Sequence, residues 1–375
     1  MRERSLYTAY QSEPGTLHER ADVIEYRQKK FLPEIARIQA LCTQYEEDAS
    51  GVLQAILPIL PIGEKEHVLA FHDESTFHGK EFSKRIWLDE NQQKLPSKGA
   101  GALIHVSEFI THEGRLISGQ REARKIIYPG AVFIFDQSSA HASKGVGALN
   151  AFDMNLTEGG APEPQKATYF PPDINTRREM GDGAGAIDTP QELNWVRGTK
   201  TLRDKNNLSI LDTKGKKQKV PKLVPRGIKT ILIERGCFPA KKTIAKCSAR
   251  ILASHKDFYE QKSALEELLE ARGHKCLFLP KFHCELNPIE MYWAYSSRRL
   301  NKSAWIRFNS CPTDTIRRYI NRAFRFIDAY RKGLSVKQAA WCVKKQSGHR
   351  SISEKWMKEF DIIPEGNSVE VDDLA

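Results

Sequence analysis

Leu279-Pro280-Lys281-Phe282-His283-Cys284-Glu285-Leu286-Asn287-Pro288-Ile289-Glu290-Met291-Tyr292-Trp293 carries the end of an apolar strand into a helix. The strand is the run Cys276 to Leu279, and the chain turns at Pro280. The helix opens at Asn287-Pro288 and brings Glu290 to its first turn. A carboxylate held there sits at a fixed edge of a sheet, which suits a metal ligand. It equally suits a capping box, with Asn287 as N-cap, Pro288 at N1 and Glu290 at N3. The positive end of the helix favours a carboxylate in either role.

Two apolar runs upstream also end in an acid: Val68-Leu69-Ala70-Phe71-His72-Asp73, and Ala131-Val132-Phe133-Ile134-Phe135-Asp136 behind Pro129-Gly130. Their continuous apolar character predicts strands buried on both faces, as in an α/β sheet. Arg85 to Leu88 and Ala102 to Ile110 add strands, the latter turning at Glu113-Gly114; 276–279 is the fifth strand, and 138–150 is expected as a short helix. Strand ends on one edge of a mostly parallel sheet gather side chains from distant sequence. Asp73, Asp136 and Glu290 would then form an all-oxygen site of the kind Mg²⁺ or Mn²⁺ prefers. Two such ions about 4 Å apart can activate a water or a 3′-OH and stabilise the leaving oxygen. His72, Glu74, His141 and His283 are near the three acids and placed to orient those ligands. The chain has no G-x-S-x-G and no P-loop, so neither a serine nucleophile nor a Walker-type phosphate site is indicated.

The rest of the chain frames this core. Apolar residues recur at helical spacing from Leu17 to Tyr45, predicting one long helix over 16–48 with a kink at Pro33. Residues 49–66 read as a linker containing Gly51 and two prolines. Residues 157–190 read as irregular, and 257–272 as an amphipathic helix ended by Gly273. Further helices are expected at 288–300, 312–331, 335–345 and 352–360, before an acidic tail. The expected divisions are 1–66, an N-terminal helix and linker; 67–156, the first part of the core; 157–255, a basic insertion; 256–350, the second part of the core; and 351–375, a last helix and tail.

A net charge of +11 over 375 residues favours an anionic partner, of which nucleic acid is the commonest. The charge concentrates in 197–250, where the basic residues are opposed only by Asp204, Asp212 and Glu234. Few aromatics interrupt it, so contact with duplex phosphates fits better than base stacking. Lys214, Lys216, Lys217 and Lys219 are the backbone-contact candidates there. Arg317, Arg318, Arg322 and Arg325 are the candidates on the 312–331 helix. Lys216-Lys217-Gln218-Lys219 also fits a simple nuclear-import pattern. The polar N-terminus predicts no signal peptide, and Val52 to Ile62, broken by Pro58 and Pro61, is too short to span a membrane. Seven scattered cysteines without a C-x-x-C pair argue for a reducing compartment and against a zinc module.

His72-Asp73-Glu74-Ser75, Phe135-Asp136-Gln137-Ser138-Ser139-Ala140-His141 and the Leu279 to Trp293 block, in that order, resemble the catalytic core of DDE transposases of the Tc1/mariner–IS630 type. They look most like a fungal branch with an LPKFHCELNPIE signature and an Arg-rich helix downstream, here Thr315-Ile316-Arg317-Arg318. The resemblance covers about 64–350. It implies a ribonuclease-H-like mixed five-stranded sheet flanked by helices, with a long insertion before the last catalytic helix. It also implies Asp73, Asp136 and Glu290 as ligands of two Mg²⁺ or Mn²⁺ ions, and DNA strand cleavage and strand transfer in the nucleus. Gln137 stands where the family usually has Asn. Such transposases carry N-terminal helix-turn-helix modules, whereas the residues before Asp73 read as one helix and a linker, so sequence-specific end binding is not expected. A transposon remnant that binds DNA without cutting it, and a cellular ribonuclease-H-like nuclease, are the alternatives. Duplex DNA is the expected partner, with a homodimer left open.

Overall fold

Ala131–Phe135 is buried along its whole length, because it is the inner strand of a sheet with a neighbour on each side. The computed structural model describes residues 17–78, 103–116, 130–160, 163–170, 190–203, 209–211, 214–238, 245–298, 311–346 and 349–361. The expected strand at 85–88 and the acidic tail lie outside them. In chain order the elements begin with a 3-10 turn (Leu17–Glu19), α1 (Ala21–Tyr26), a π turn (Arg27–Phe31) and α2 (Leu32–Gln39). The strands β1 (Gln44–Glu47), β2 (Leu53–Ile56), β3 (Val68–His78), β4 (Leu103–Thr111), β5 (Gly114–Arg115) and β6 (Ala131–Phe135) follow. Next come β7 (Thr168–Tyr169), β8 (Pro190–Gln191), β9 (Asn194–Thr201), β10 (Lys219–Pro225), α3 (Ile228–Glu234), α4 (Ala245–Ala253), α5 (Lys256–Tyr259) and α6 (Ala264–Glu270). The chain closes with β11 (Lys275–Phe278), α7 (Ile289–Arg298), α8 (Thr313–Arg331), α9 (Val336–Lys345) and α10 (Glu354–Asp361).

These elements form two compact units, one from residues up to His141 together with those from Leu268 onward, the other from Ala142 to Glu267. The expected insertion, 157–255, falls inside the second. The first unit holds a five-stranded mixed sheet in the order β5-β4-β3-β6-β11. β3 pairs antiparallel with β4 and parallel with β6, and β6 pairs parallel with β11. One face of the sheet carries Leu69, Phe71, Ile110, Val132, Ile134 and Leu277. It packs on α2, α7, α8 and α9 in one continuous core with Ile35, Ile289, Tyr292, Ile320 and Tyr330. The other face carries His72, Phe109, Phe133 and Phe135 in edge-on and tilted ring contacts. The two sets separate because side chains alternate along a strand.

Several expected elements differ. The predicted helix over 16–48 ends at Gln39, and Tyr45 belongs to a hairpin, β1–β2. Asp48 closes that hairpin by accepting hydrogen bonds from the Ser50 and Val52 amides, and Gly51 takes the positive φ of the turn. The disturbance at Pro33 is a π turn, in which the Leu32 amide reaches back to the Arg27 carbonyl. Proline has no N–H to bond the carbonyl four residues back, and a widened turn absorbs the mismatch. No helix forms over 138–150. There the Ser138 hydroxyl accepts from the His141 amide, and such local bonds compete with helix formation. The helix expected over 257–272 is two short helices, split where Ser263 caps the second. Its hydroxyl accepts from the Glu266 amide, while the Glu266 carboxylate accepts from the Ser263 amide.

The second unit has its own core around Leu149, Leu193, Ile228, Ile231, Leu232, Leu252 and Phe258. At its centre Arg235 is fully buried. Its guanidinium is bidentate to Asp257 at 3.0 and 2.6 Å and also donates to Gln191. Burial alone would push the Asp257 carboxyl up, but the Arg235 hydrogen bonds and charge outweigh it and hold it low.

Candidate functional site

The register of β3 and β6 brings the first two carboxylates together. Phe71 is paired with Ile134 in that parallel ladder, and Asp73 and Asp136 each lie two residues further on. They therefore arrive at the same level on adjacent strands. α7 supplies the third. Its first residue is Ile289, so Glu290 stands in the first turn. Asn287 makes no capping box with Glu290. It is buried, and its side-chain amide donates to the His72 carbonyl at 3.0 Å, which ties the approach to α7 to the middle of β3.

The charges of Asp73 and Asp136 act on Glu290, and that of Asp136 acts on Asp73. Burial pushes the Glu290 carboxyl up to about 8, with the charges of Asp73 and Asp136 adding to the rise. Burial also raises Asp73, to about 6, aided by Asp136 and Glu74 and opposed by hydrogen bonds from the Glu74 amide and the Trp293 indole. Trp293 Nε1 donates to Asp73 Oδ2 at 2.9 Å. It lies three residues beyond Glu290, on the same face of α7, so one helical turn supplies both a third acid and a donor for the first. Among the described residues no lysine or arginine is paired with Asp73, Asp136 or Glu290. Glu108, opposite Asp73 in the β3–β4 ladder, is neutralised by Arg115.

The expected histidines divide. His141 Nδ1 lies 2.6 Å from Asp136 Oδ1 and 2.9 Å from Ser138 Oγ, so it orients a predicted ligand. His72 is buried, with Nε2 2.8 Å from Ser107 Oγ, and burial lowers it to about 4, with the charge of His141 adding to the fall. One ring nitrogen of His72, one of His141 and a Glu74 carboxylate oxygen lie within 4.8 Å of one another. His283 has both ring nitrogens engaged elsewhere, Nε2 with Arg27 at 3.1 Å and Nδ1 with Glu285 at 2.6 Å. Glu285 also accepts from the Tyr330 hydroxyl at 2.7 Å, and the Arg27 guanidinium lies over the Tyr330 ring. This buried cluster fastens the π turn and α8 to the turn before α7. Phe282 in that turn has a φ of 68°, a left-handed conformation that a bulky residue keeps only when its surroundings enforce it.

Of the basic candidates, Lys214, Lys216, Lys217 and Lys219 are exposed in the second unit. The arginines of α8 serve internal contacts. Arg317 donates to the His112 carbonyl and stacks 4.0 Å over Tyr45. Arg318 binds Glu47 and the Gly51 carbonyl, and Arg325 donates to the His349 carbonyl. Arg322 is partly buried on the same helix. Among the described residues no helix is long and apolar enough to cross a membrane.

Glu74 was legible in the sequence beside the expected acids, whereas the contacts of Trp293 and Asn287 were not. The i, i+3 spacing from Glu290 was the available signal for Trp293. Nothing local marked Asn287 as a strand anchor. Compared with known proteins, the chain matches no family model, no curated protein and no solved structure.

Proposed function

We propose that this protein is a ribonuclease-H-like polynucleotidyl transferase of the DDE transposase type, cleaving and joining DNA phosphodiesters in the nucleus. The observation that carries the reading is the convergence of Asp73 and Asp136, from adjacent paired strands, with Glu290 from the first turn of α7, none of them paired with a lysine or arginine among the described residues. Oxygen donors in a site where burial first, and neighbouring charge second, raises the proton affinity of Asp73 and Glu290 fit a hard divalent ion, which offsets both costs. Bound Mg²⁺ or Mn²⁺ would supply charge at the leaving oxygen and an activated water or 3′-OH. The chain's own residues do the positioning. Trp293 fixes one Asp73 oxygen, His141 fixes one Asp136 oxygen, and the sheet and α7 hold the three carboxylates in place. The exposed lysines of the second unit are suited to duplex phosphates.

The test is nicking of supercoiled plasmid with Mg²⁺ or Mn²⁺, by the wild type and by Asp73→Asn and Glu290→Gln. Metal-dependent nicking that both substitutions abolish is expected. Salt-sensitive DNA binding without nicking would replace the enzyme with a DNA-binding remnant, and preference for an RNA–DNA hybrid would favour a cellular nuclease.

A further inference from the structure

We propose that His72, Glu74 and His141 form a second cation site, distinct from the three-carboxylate site and suited to a borderline divalent ion such as Zn²⁺. The proposal stands whether or not the carboxylate site cuts DNA. Strand alternation separates the two. Asp73 projects from the face of β3 that meets α7, and its neighbours His72 and Glu74 project from the opposite face, where His72 contacts Phe109 and Phe135. His141 comes to that same face from the turn after β6, with its ring 5.2 Å from His72 and 5.0 Å from Phe135.

The hydrogen-bond geometry of His141 suits it as a ligand through Nε2. A carboxylate only accepts hydrogen bonds, so the 2.6 Å bond to Asp136 Oδ1 places the proton on Nδ1. Nε2 then offers a lone pair, and it faces Glu74 Oε1 at 4.0 Å. Metal-bound histidines commonly show this arrangement, one nitrogen on the ion and the other donating to a carboxylate. The third member brings an independent sign. His72 is 4% exposed, and its Nδ1 has no hydrogen-bond partner, although buried polar atoms are normally satisfied. Two imidazoles and one carboxylate are the donor set of many open Zn²⁺ sites, whereas Mg²⁺ prefers oxygen alone. Ligand distances of about 2.0–2.2 Å from such an ion need donors closer together than the present spread within 4.8 Å. Glu74, 45% exposed at its side chain, is free to make that adjustment.

The test is equilibrium dialysis of the intact protein against Zn²⁺ alone, with Co²⁺ absorption as the structural reporter. Wild type, Glu74→Gln, His141→Ala and Glu290→Gln are compared, each with its melting curve. The expected result is one Zn²⁺ per chain, weakened at least tenfold by Glu74→Gln and by His141→Ala and unchanged by Glu290→Gln. The Co²⁺ derivative should show visible bands without a thiolate-to-cobalt charge-transfer band. Because Glu74 is well exposed, its Gln variant keeps the test valid if His141→Ala fails to fold. Three results would overturn the site: no Zn²⁺ bound by the wild type, wild-type affinity in Glu74→Gln, or loss of binding in Glu290→Gln. A thiolate band would also overturn it, by assigning the ion to the cysteines.

Discussion

Glu290→Gln should stabilise this protein at alkaline pH while removing its Mg²⁺ response. In an unfolded chain the Glu290 carboxyl titrates near its ordinary value of 4.5, and in the folded protein near 8. Between those values the folded state holds a proton that the unfolded state has released. Folding stability therefore falls as pH rises through the window, the opposite of a salt-bridged acid. For a shift of this size, moving from pH 5 to pH 8 costs roughly 3 to 4 kcal/mol. Asp73, raised from 3.8 to about 6, acts in the same direction over the lower part of the range. Gln cannot ionise, and it also spares Asp73 and Asp136 a neighbouring charge.

The assay is a set of thermal melts from pH 5 to pH 8 with and without Mg²⁺. Wild type should lose on the order of 5–10 °C across the range in the absence of metal. Glu290→Gln should lose much less, and the two curves should converge near pH 5. Saturating Mg²⁺ should recover about 2–3 kcal/mol in the wild type at a hundredfold excess over its dissociation constant, and little in the variant. Parallel wild-type and variant curves would falsify the argument, because they would mean that the Glu290 carboxyl holds its proton no more tightly in the folded protein than in the unfolded chain.

Three further outcomes follow from particular contacts. Trp293→Phe keeps a buried aromatic but removes the donor to Asp73 Oδ2; the acid limb of Mg²⁺ binding should move up by about one pH unit, and an unmoved limb would refute the role of the indole. Arg235→Ala leaves Asp257 without its bidentate partner inside the second unit. It should cost about 3–5 kcal/mol in denaturant unfolding followed by Trp195 fluorescence, and a cost below about 1 kcal/mol would show that the pair is dispensable. Gly227→Ala puts a Cβ 2.5 Å from the Thr157 carbonyl carbon and 2.6 Å from the Leu156 oxygen. Because both are backbone atoms, the second unit should lose about 1–3 kcal/mol or more, and an unchanged unfolding midpoint would mean that the 156–157 segment yields freely.

The sheet was legible because its inner strands need apolar residues on both faces, and the β3 and β6 segments advertise this as unbroken runs. The β1–β2 hairpin was harder to read. Tyr45 fits the helical period from Leu17 as well as it fits a strand, and the deciding signal was the Asp48 to Gly51 turn. The split between α5 and α6 did have a written signal, Ser263 followed three residues later by Glu266, but the apolar periodicity running through it hid the cap. Helix formation after β6 was overruled by hydrogen bonds among Asp136, Ser138 and His141, which depend on a carboxylate at a strand end. Patterns with one period could be read; choices between two local partners could not.

The same distinction governs the site. A strand-end acid can be found by reading along the chain, but the face it occupies depends on parity. In the middle of β3, which runs on past Asp73 to His78, parity sends Asp73 towards α7 and sends His72 and Glu74 to the other side of the sheet. Asp136 is felt on both sides, raising the proton affinity of Asp73 and Glu290 while holding His141 by its Nδ1. Substituting Asp136 therefore perturbs the carboxylate site and frees the His141 ring at once, so lost activity in Asp136→Ala would not tell which was responsible. Glu290 and Glu74 stand on opposite sides, with the Glu74 charge a minor contribution at Asp73, and comparing Glu290→Gln with Glu74→Gln separates the two chemistries. A hard-ion site predicts that only the former abolishes the Mg²⁺ response, and an imidazole site predicts that only the latter weakens Zn²⁺. If both substitutions weaken both ions equally, the strand does not divide the two sites, and the parity argument fails with them.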